Sequence, residues 1–328
     1  MGMKMKHVLI LIFMISILSS CQKNLDIIVT DPNAGPDTSW CTTITETMQV
    51  SRLREDLRME VFADSFQLNA GAMTNFQSAS GLSLSLMGGD LITPNNQPYF
   101  GLVKMKSILL NSIGDMVRMG AQTTSYGELL ETGGAFDFNL LSSNNEPLAI
   151  KYDRPISIKY QFAQPSIQGM QVFKGDMMAP PASNWILVQD SFNFILPGLG
   201  NNYEVITNQM RWINCDQFVN TPSNQLTKLA VVLPSNYTNA NTIVFTSFDN
   251  RSSVVGMRGN PVDREFQSEN IPVNEPVTVS VISKQGGNYF LGHLSITTTF
   301  PAVGNFQHIA ITPVITNLNN INTYISTL

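Results

Sequence analysis

The chain has 328 residues and a formal net charge of −5, and 13% of its residues are charged, against a usual share of about 25%. This mild acidity argues against binding to nucleic acid and against adhesion to anionic lipid, since both need clustered positive charge. Abundant Asn, Ser, Thr and Gln indicate a polar but weakly charged surface, which is common in β-rich proteins outside the cytoplasm.

Residues 1–20 have the pattern of a secretory signal peptide. Lys4 and Lys6 precede an apolar run at residues 8–18 that is interrupted only by Ser16. A helix of this length rises about 16 Å, about half of the ~30 Å hydrocarbon core of a bilayer. The run is therefore too short to span a membrane, and a short apolar run behind a basic start is typical of a signal peptide.

The signal ends on a cysteine in the sequence "LSSC" at residues 18–21, which resembles the lipobox of bacterial lipoproteins. The resemblance implies that the Cys21 thiol takes a diacylglyceryl group, that cleavage falls before Cys21, and that the new amine is acylated. One acyl chain holds a protein at a membrane reversibly, whereas two or three hold it firmly. The alternative is an ordinary signal peptide with a chance cysteine.

Residues 21–45 are predicted to be the lipidated cysteine and a flexible tether. Residues 22–39 carry two prolines, a glycine and several turn-forming residues, and a flexible chain of that length spans about 25 Å root-mean-square. Gln22 follows the cysteine where an inner-membrane retention signal would have an aspartate, so the outer membrane is favoured. Asp26 and Asp31 are too few acids to decide between the periplasmic face and the cell surface.

Residues 52–60, "RLREDLRME", are the densest cluster of charge in the chain. Leu53 and Leu57 fall at helical spacing, which predicts a short amphipathic helix. The alternative is a solvated segment that leads into the first strand. Neither interpretation predicts a ligand.

Beyond this segment, alternation of apolar and polar residues predicts strands. In "GLSLSLM", Leu82, Leu84 and Leu86 share one face and serines occupy the other, as in a half-buried strand. "PISIKYQF" at residues 155–162 repeats the pattern. Because no helical period persists and turn-rich Asn and Pro segments separate the strands, the sequence predicts an all-β fold with antiparallel pairing.

The clearest hairpin is predicted near the end of the chain. Val277, Val279 and Val281 alternate with polar residues, and Gly286-Gly287 supplies a two-residue turn before the chain runs back. A polar, turn-rich stretch at residues 219–225 is the predicted domain boundary. We therefore expect two β-sandwich domains, at residues 46–218 and 219–328, the second of them immunoglobulin-like.

Three segments of the first domain carry a resemblance to a known group of proteins. These are "GDMVRMGAQTTSYGELLETGGAFDF" (114–138), "SNWILVQDSFNF" (183–194) and "RWINCDQF" (211–218). The combination resembles a group of uncharacterised bacterial outer-membrane lipoproteins, although Gln217 stands where that group has an arginine. The stretch "SASGLSLSLMGGDLI" is also similar to the spectrin-binding β-sandwich of ankyrins and netrin receptors. These resemblances imply a β-sandwich lipoprotein and bring no activity with them.

The motif glycines and the two histidines of the chain beyond the signal fit structural roles. Gly133-Gly134 suits a tight bend or a close approach between strands. His293 and His308 lie in predicted strands, and no nucleophile elbow, zinc-protease helix, EF-hand loop or P-loop occurs. We therefore expect no enzymatic activity, no cofactor and no metal site.

Cysteines and tryptophans leave two questions open. Cys41 and Cys215 could form a disulfide in an oxidising compartment, but the sequence does not show that they meet. Trp185 could stack on a sugar ring, although buried tryptophans are commoner. The sequence thus predicts a lipid-anchored envelope protein that binds or scaffolds an unknown envelope component, and the alternative is a surface glycan-binding lipoprotein.

Overall fold

The computed structural model describes residues 39–176 and 184–328, and β-strands dominate both ranges. In chain order the first fourteen strands are β1 Phe62–Leu68, β2 Met73–Gln77, β3 Ser83–Met87, β4 Leu91–Ile92, β5 Gly101–Leu110, β6 Thr124–Ser125, β7 Glu128–Leu141, β8 Ala149–Ile150, β9 Ile156–Gln161, β10 Gln171–Gly175, β11 Trp185–Leu187, β12 Phe194–Pro197, β13 Asn202–Thr207 and β14 Ile213–Phe218. The remaining strands are β15 Leu226–Thr227, β16 Leu229–Val232, β17 Thr242–Phe248, β18 Val254–Asn260, β19 Glu265–Gln267, β20 Ile271–Pro272, β21 Pro276–Gln285, β22 Asn288–Thr297, β23 Gln307–Ala310 and β24 Val314–Thr316. The predicted all-β class is confirmed.

Among strands β1–β14, all but β4 and β8 form a first sheet and a second sheet around a common core, and β4 pairs with β8 in a separate two-stranded sheet. The first sheet has the order β1-β5-β7-β14-β10-β11, with β6 paired to β7, and the second has the order β12-β13-β9-β3-β2. Side chains from both sheets belong to one buried cluster, which includes Leu84, Phe136, Ile158, Tyr203 and Cys215. The alternating Leu82, Leu84 and Leu86 predicted to share a face are all buried.

A third sheet of eight strands holds the C-terminal part of the chain. Its order is β23-β16-β19-β18-β17-β21-β22-β24, and its pairs are antiparallel except that β16 runs parallel to β23. The predicted hairpin is confirmed, because β21 pairs with β22 along its length around Gly286-Gly287. Gly286 has a φ of +60°, which glycine adopts at little cost.

Three helices pack against the sheets: α1 Gln49–Leu57, α2 Ile113–Met119 and α3 Leu318–Ile325. The predicted amphipathic helix is confirmed as α1, with Leu53 and Leu57 buried. At the start of α2, the Ser112 hydroxyl accepts a hydrogen bond from the Asp115 amide, 3.1 Å away, which satisfies an otherwise free donor. None of the helices in these two ranges is long and apolar enough to cross a membrane.

Core packing links the two predicted domains. Residues Gly35–Leu328 form one compact unit, and one buried cluster combines Leu53 and Ile108 with Phe245, Ile282 and Ile321. The backbone of α2 also lies close to α3, since a Cβ on Gly114 would fall 2.2 Å from the Ile325 carbonyl oxygen. The division into two sandwich domains at residue 218 stays a prediction.

Candidate functional site

A cavity opens in the third sheet where β18 parts from β17. The pairing of these two strands stops at Val244 and Met257. From Arg258 onward β18 pairs with β19, whereas β17 stays paired with β21 back to Thr242. Residues on both sides of the resulting gap line a cavity of about 500 Å³, here called the apolar cavity.

The walls of the apolar cavity come from two hydrophobic clusters that meet there. Leu57, Val117 and Phe245 belong to the cluster that surrounds the helices, while Met257 and Phe266 belong to the core of the third sheet. A volume of about 500 Å³ lies within the range of small-molecule sites, which are mostly apolar with a few placed polar groups.

Helix α1 forms one wall because its residues at helical spacing face the gap. Val50, Arg54 and Leu57 all line the apolar cavity. On another side of the helix, the Asp56 carboxylate forms an ion pair with the Lys284 ammonium and accepts a hydrogen bond from the Tyr289 hydroxyl at 2.8 Å. These contacts fix α1 to the third sheet and so fix the position of Arg54.

Three arginines line the junction with a second cavity of about 490 Å³, here called the polar cavity. Arg54, Arg118 and Arg258 belong to the linings of both cavities. The Arg118 guanidinium is held by the Asn322 side chain, by the Asn322 carbonyl oxygen at 3.0 Å and by the Ser326 hydroxyl at 3.1 Å. Arg118 is thus oriented by helix α3.

The charge at this junction is positive and incompletely neutralised. Within the two described ranges, neither Arg54 nor Arg258 has an ion pair or a side-chain hydrogen bond. The lining of the apolar cavity includes no acidic residue among those described. In the polar cavity Glu55 is paired with Arg58 at 3.5 Å, which leaves the single acid Glu269 beside the three arginines. Although Arg54 is exposed over part of its surface, desolvation lowers the pKa of its guanidinium, because burial disfavours a charge that has no counter-ion.

The first described residues of the chain pack beside the apolar cavity. The Asn239 side chain accepts a hydrogen bond from the Cys41 amide at 2.9 Å and donates one to the Cys41 carbonyl oxygen at 2.6 Å. The Trp40 ring lies 5.1 Å from the Phe266 ring, centroid to centroid. The last part of the predicted tether, residues 21–45, therefore packs against the fold at this cavity, and Trp40 contacts one of the cavity walls.

The predicted lipidation and disulfide residues have different outcomes. Cys21 lies outside the described residues. Cys215 is a free thiol, so the Cys41–Cys215 disulfide considered from the sequence is absent from this structure. The two cysteines lie in different parts of the fold. The Cys41 amide donates a hydrogen bond to the Asn239 side chain next to the third sheet, whereas Cys215 is buried in the core between the first and second sheets.

Trp185 is not a platform for sugar rings. Its side chain is 0% exposed, and its indole N–H donates a hydrogen bond to the Gln122 carbonyl oxygen at 2.7 Å. A ring that is fully buried cannot stack on a glycan, so the alternative in which Trp185 provides the stacking surface is wrong, and the commoner buried arrangement is present. Burial with a satisfied N–H is the common arrangement for this residue.

Residues of the segments 114–138 and 211–218 form a buried structural cluster with Tyr160. The Tyr160 hydroxyl donates a hydrogen bond to the Gly133 carbonyl oxygen at 3.0 Å, and the Asn214 amide donates one to Asp216 at 2.6 Å. Burial raises the pKa of the Cys215 thiol and the pKa of the Asp216 carboxyl. Groups that are fully buried cannot meet a dissolved substrate, so these residues serve packing.

The two histidines also lie where the sequence places them, in strands. His293, on β22, is stacked on Tyr324 with ring centroids 5.0 Å apart. The His308 imidazole, on β23, lies 3.4 Å from the Glu265 carboxylate. The described residues contain no cluster of His, Cys, Asp or Glu that could hold a metal ion.

The arginines of the cavity junction were not recognised from the sequence. Arg54 lies in the charged segment at residues 52–60, whose sequence predicts no ligand, and Arg118 lies in the "GDMVRMG" motif. The usable signal was the spacing of Val50, Arg54 and Leu57, which places an arginine on the apolar side of a helix.

A scan of known protein families finds no family model that matches this chain. A search of the curated proteins finds no significant match either.

Proposed function

We propose that this chain is a lipid-anchored protein of a bacterial outer membrane that binds an anionic ligand without transforming it. The lipobox at residues 18–21 supports the anchor. The binding role rests on one observation: Arg54, Arg118 and Arg258 line the same mostly apolar cavity.

The case for an anion comes from the state of these arginines. Arg54 and Arg258 have no counter-ion among the described residues, and both line a cavity whose walls are mostly apolar. Charge-assisted hydrogen bonds from guanidinium to carboxylate or phosphate are about twice as strong as neutral ones. The rest of the protein is acidic, so this cavity is a local exception that selects negative charge.

Binding is favoured over catalysis by the chemistry of the cavity walls. General acid-base catalysis needs a group such as His, Glu or Asp within reach of the substrate. The described residues that line the apolar cavity include none of these. Arginines hold and orient an anion, which is the task of a binding protein. A scaffold role needs no such cavity.

The proposal is tested with an anionic fluorescent probe, 8-anilinonaphthalene-1-sulfonate. Residues 22–328 contain the whole compact unit Gly35–Leu328 and can be titrated in solution. We expect saturable binding to wild type and at least a tenfold weaker affinity in Arg54→Gln/Arg258→Gln, since a hydrogen bond to a charged group contributes about 1.5–3 kcal/mol.

The matched control is Arg154→Gln, an exposed arginine outside both cavities with only a 4.0 Å ion pair to Asp90. It should bind the probe like wild type. Equal affinities for all three proteins, or no saturable binding to wild type, would overturn the proposal. Circular dichroism of each variant establishes that a loss of binding is not a loss of folding.

A further inference from the structure

The two adjoining cavities have opposite character, and this deepens the proposed function. The apolar cavity is walled by buried aliphatic and aromatic side chains, such as Val50, Val254 and Phe266. The polar cavity is lined by side chains such as Ser51, Gln267 and Glu269. The three arginines stand where the two linings overlap.

We infer that the ligand is an amphiphile with one anionic head group and one linear aliphatic chain. The head, a carboxylate or a phosphate, binds Arg54, Arg118 and Arg258, and the chain occupies the apolar cavity. This inference rests on the proposed function.

The size of the apolar cavity fits a chain rather than a small ion. An engineered apolar cavity of about 150 Å³ stays dry and binds benzene, and the apolar cavity here has about 500 Å³. A hydrophilic anion such as inorganic phosphate would contact the arginines but leave the walls of Leu57, Phe245 and Met257 facing water. An aliphatic chain would cover those walls.

The position of the arginines fixes the orientation of the ligand. Arg118 is held by Asn322 and Ser326 of helix α3, so one donor is set in place before binding. Arg54 and Arg258 project from α1 and β18, on other sides of the junction. A head group there is contacted from three elements, and only the apolar cavity is left for the tail.

The test is isothermal titration of residues 22–328 with octanoate, decanoate and dodecanoate below their micellar concentrations. We expect affinity to rise about fourfold for each added methylene, the factor that corresponds to about 0.8 kcal/mol. In Arg54→Gln/Arg258→Gln, decanoate affinity should fall at least tenfold while affinity for 1-decanol changes less than twofold. Arg154→Gln should bind all of these ligands like wild type.

Decanoate and decyl phosphate separate the two sources of such a ligand. Tighter binding of decanoate indicates a free fatty carboxylate, and tighter binding of decyl phosphate indicates a phosphate-headed lipid fragment. Either result supports the inference, provided that the methylene and arginine effects are both present.

The outcomes also separate this inference from the proposed function. If affinity does not change with chain length while the fluorescent sulfonate still binds in an arginine-dependent way, the inference of an amphiphilic ligand is overturned. The proposed anion-binding function then still stands. A chain-length effect that is the same in Arg54→Gln/Arg258→Gln also overturns the inference, because it shows binding without head-group recognition. No binding of any of these probes overturns both.

Discussion

Replacing Gly133 by alanine tests the role of the motif glycines most directly. Gly133 lies on β7 of the first sheet, and a Cβ there would fall 2.6 Å from Cζ and 2.7 Å from the hydroxyl oxygen of Tyr203 on β13 of the second sheet. The Tyr203 ring is 1% exposed and stacks on Tyr160 with centroids 5.6 Å apart. A methyl group on Gly133 would therefore have to displace a buried ring that is packed against Tyr160.

The expected cost follows from this geometry. Overpacking a well-packed core usually costs about 1–3 kcal/mol, and Gly133→Ala should lie in the upper half of that range because the clash is with a rigid, buried ring. The displaced Tyr203 oxygen would also strain the hydrogen bond that it accepts from the Ile167 amide at 3.0 Å. At about 2–4 °C per kcal/mol, we expect Tm to fall by roughly 4–12 °C.

The assay is thermal and urea unfolding of residues 22–328, with Gly287→Ala as the matched control. A Cβ on Gly287 meets nothing within 4 Å, so this change should leave Tm nearly unaltered. In a Tyr203→Ala background, which removes the clashing ring, adding Gly133→Ala should cost far less than it does in wild type. A Gly133→Ala protein as stable as Gly287→Ala, or an equal cost in both backgrounds, would refute the steric reasoning.

Three further predictions concern the lipid anchor at Cys21, the buried carboxyl of Asp216 and the buried thiol of Cys215. Cys21→Ala should abolish labelling by a palmitate analogue and release the chain into soluble fractions; a labelled, membrane-bound variant would contradict the lipobox. Burial raises the pKa of the Asp216 carboxyl, so in the folded protein this carboxyl stays protonated above its unfolded pKa of about 3.9. The protein is therefore most stable below the unfolded pKa and loses stability as pH rises through the folded pKa, where the buried carboxyl has to ionise. Urea unfolding should therefore show that the stability of Asp216→Asn relative to wild type is higher at pH 8 than at pH 4. The same difference in free energy of unfolding at both pH values would contradict this. Iodoacetamide should label buried Cys215 only after the protein is unfolded in urea, whereas rapid labelling of Cys215 in the native protein would contradict its burial.

Short sequence patterns predicted those elements whose buried face depends only on residues close together in the chain. The Leu82, Leu84 and Leu86 strand, helix α1 and the Gly286-Gly287 hairpin were all predictable, because side-chain period and turn chemistry act over a few residues. The sequence also predicted a close approach at Gly133-Gly134, because a residue with a side chain would leave no room for a neighbouring group. The identity of that group, the Tyr203 ring from another sheet, was not predictable.

The sequence by itself thus determined the all-β class, the buried faces of the strands and the resemblance to lipoproteins at Cys21. Only the tertiary structure decided that Cys41 and Cys215 lie in different parts of the fold, that Trp185 is enclosed, and that three arginines share one cavity. The physical reason is that strand faces depend on alternation within a segment, whereas the cavity depends on where β18 leaves β17 and on which helices cover the gap. Those are contacts between distant parts of the chain, and no short stretch of sequence encodes them.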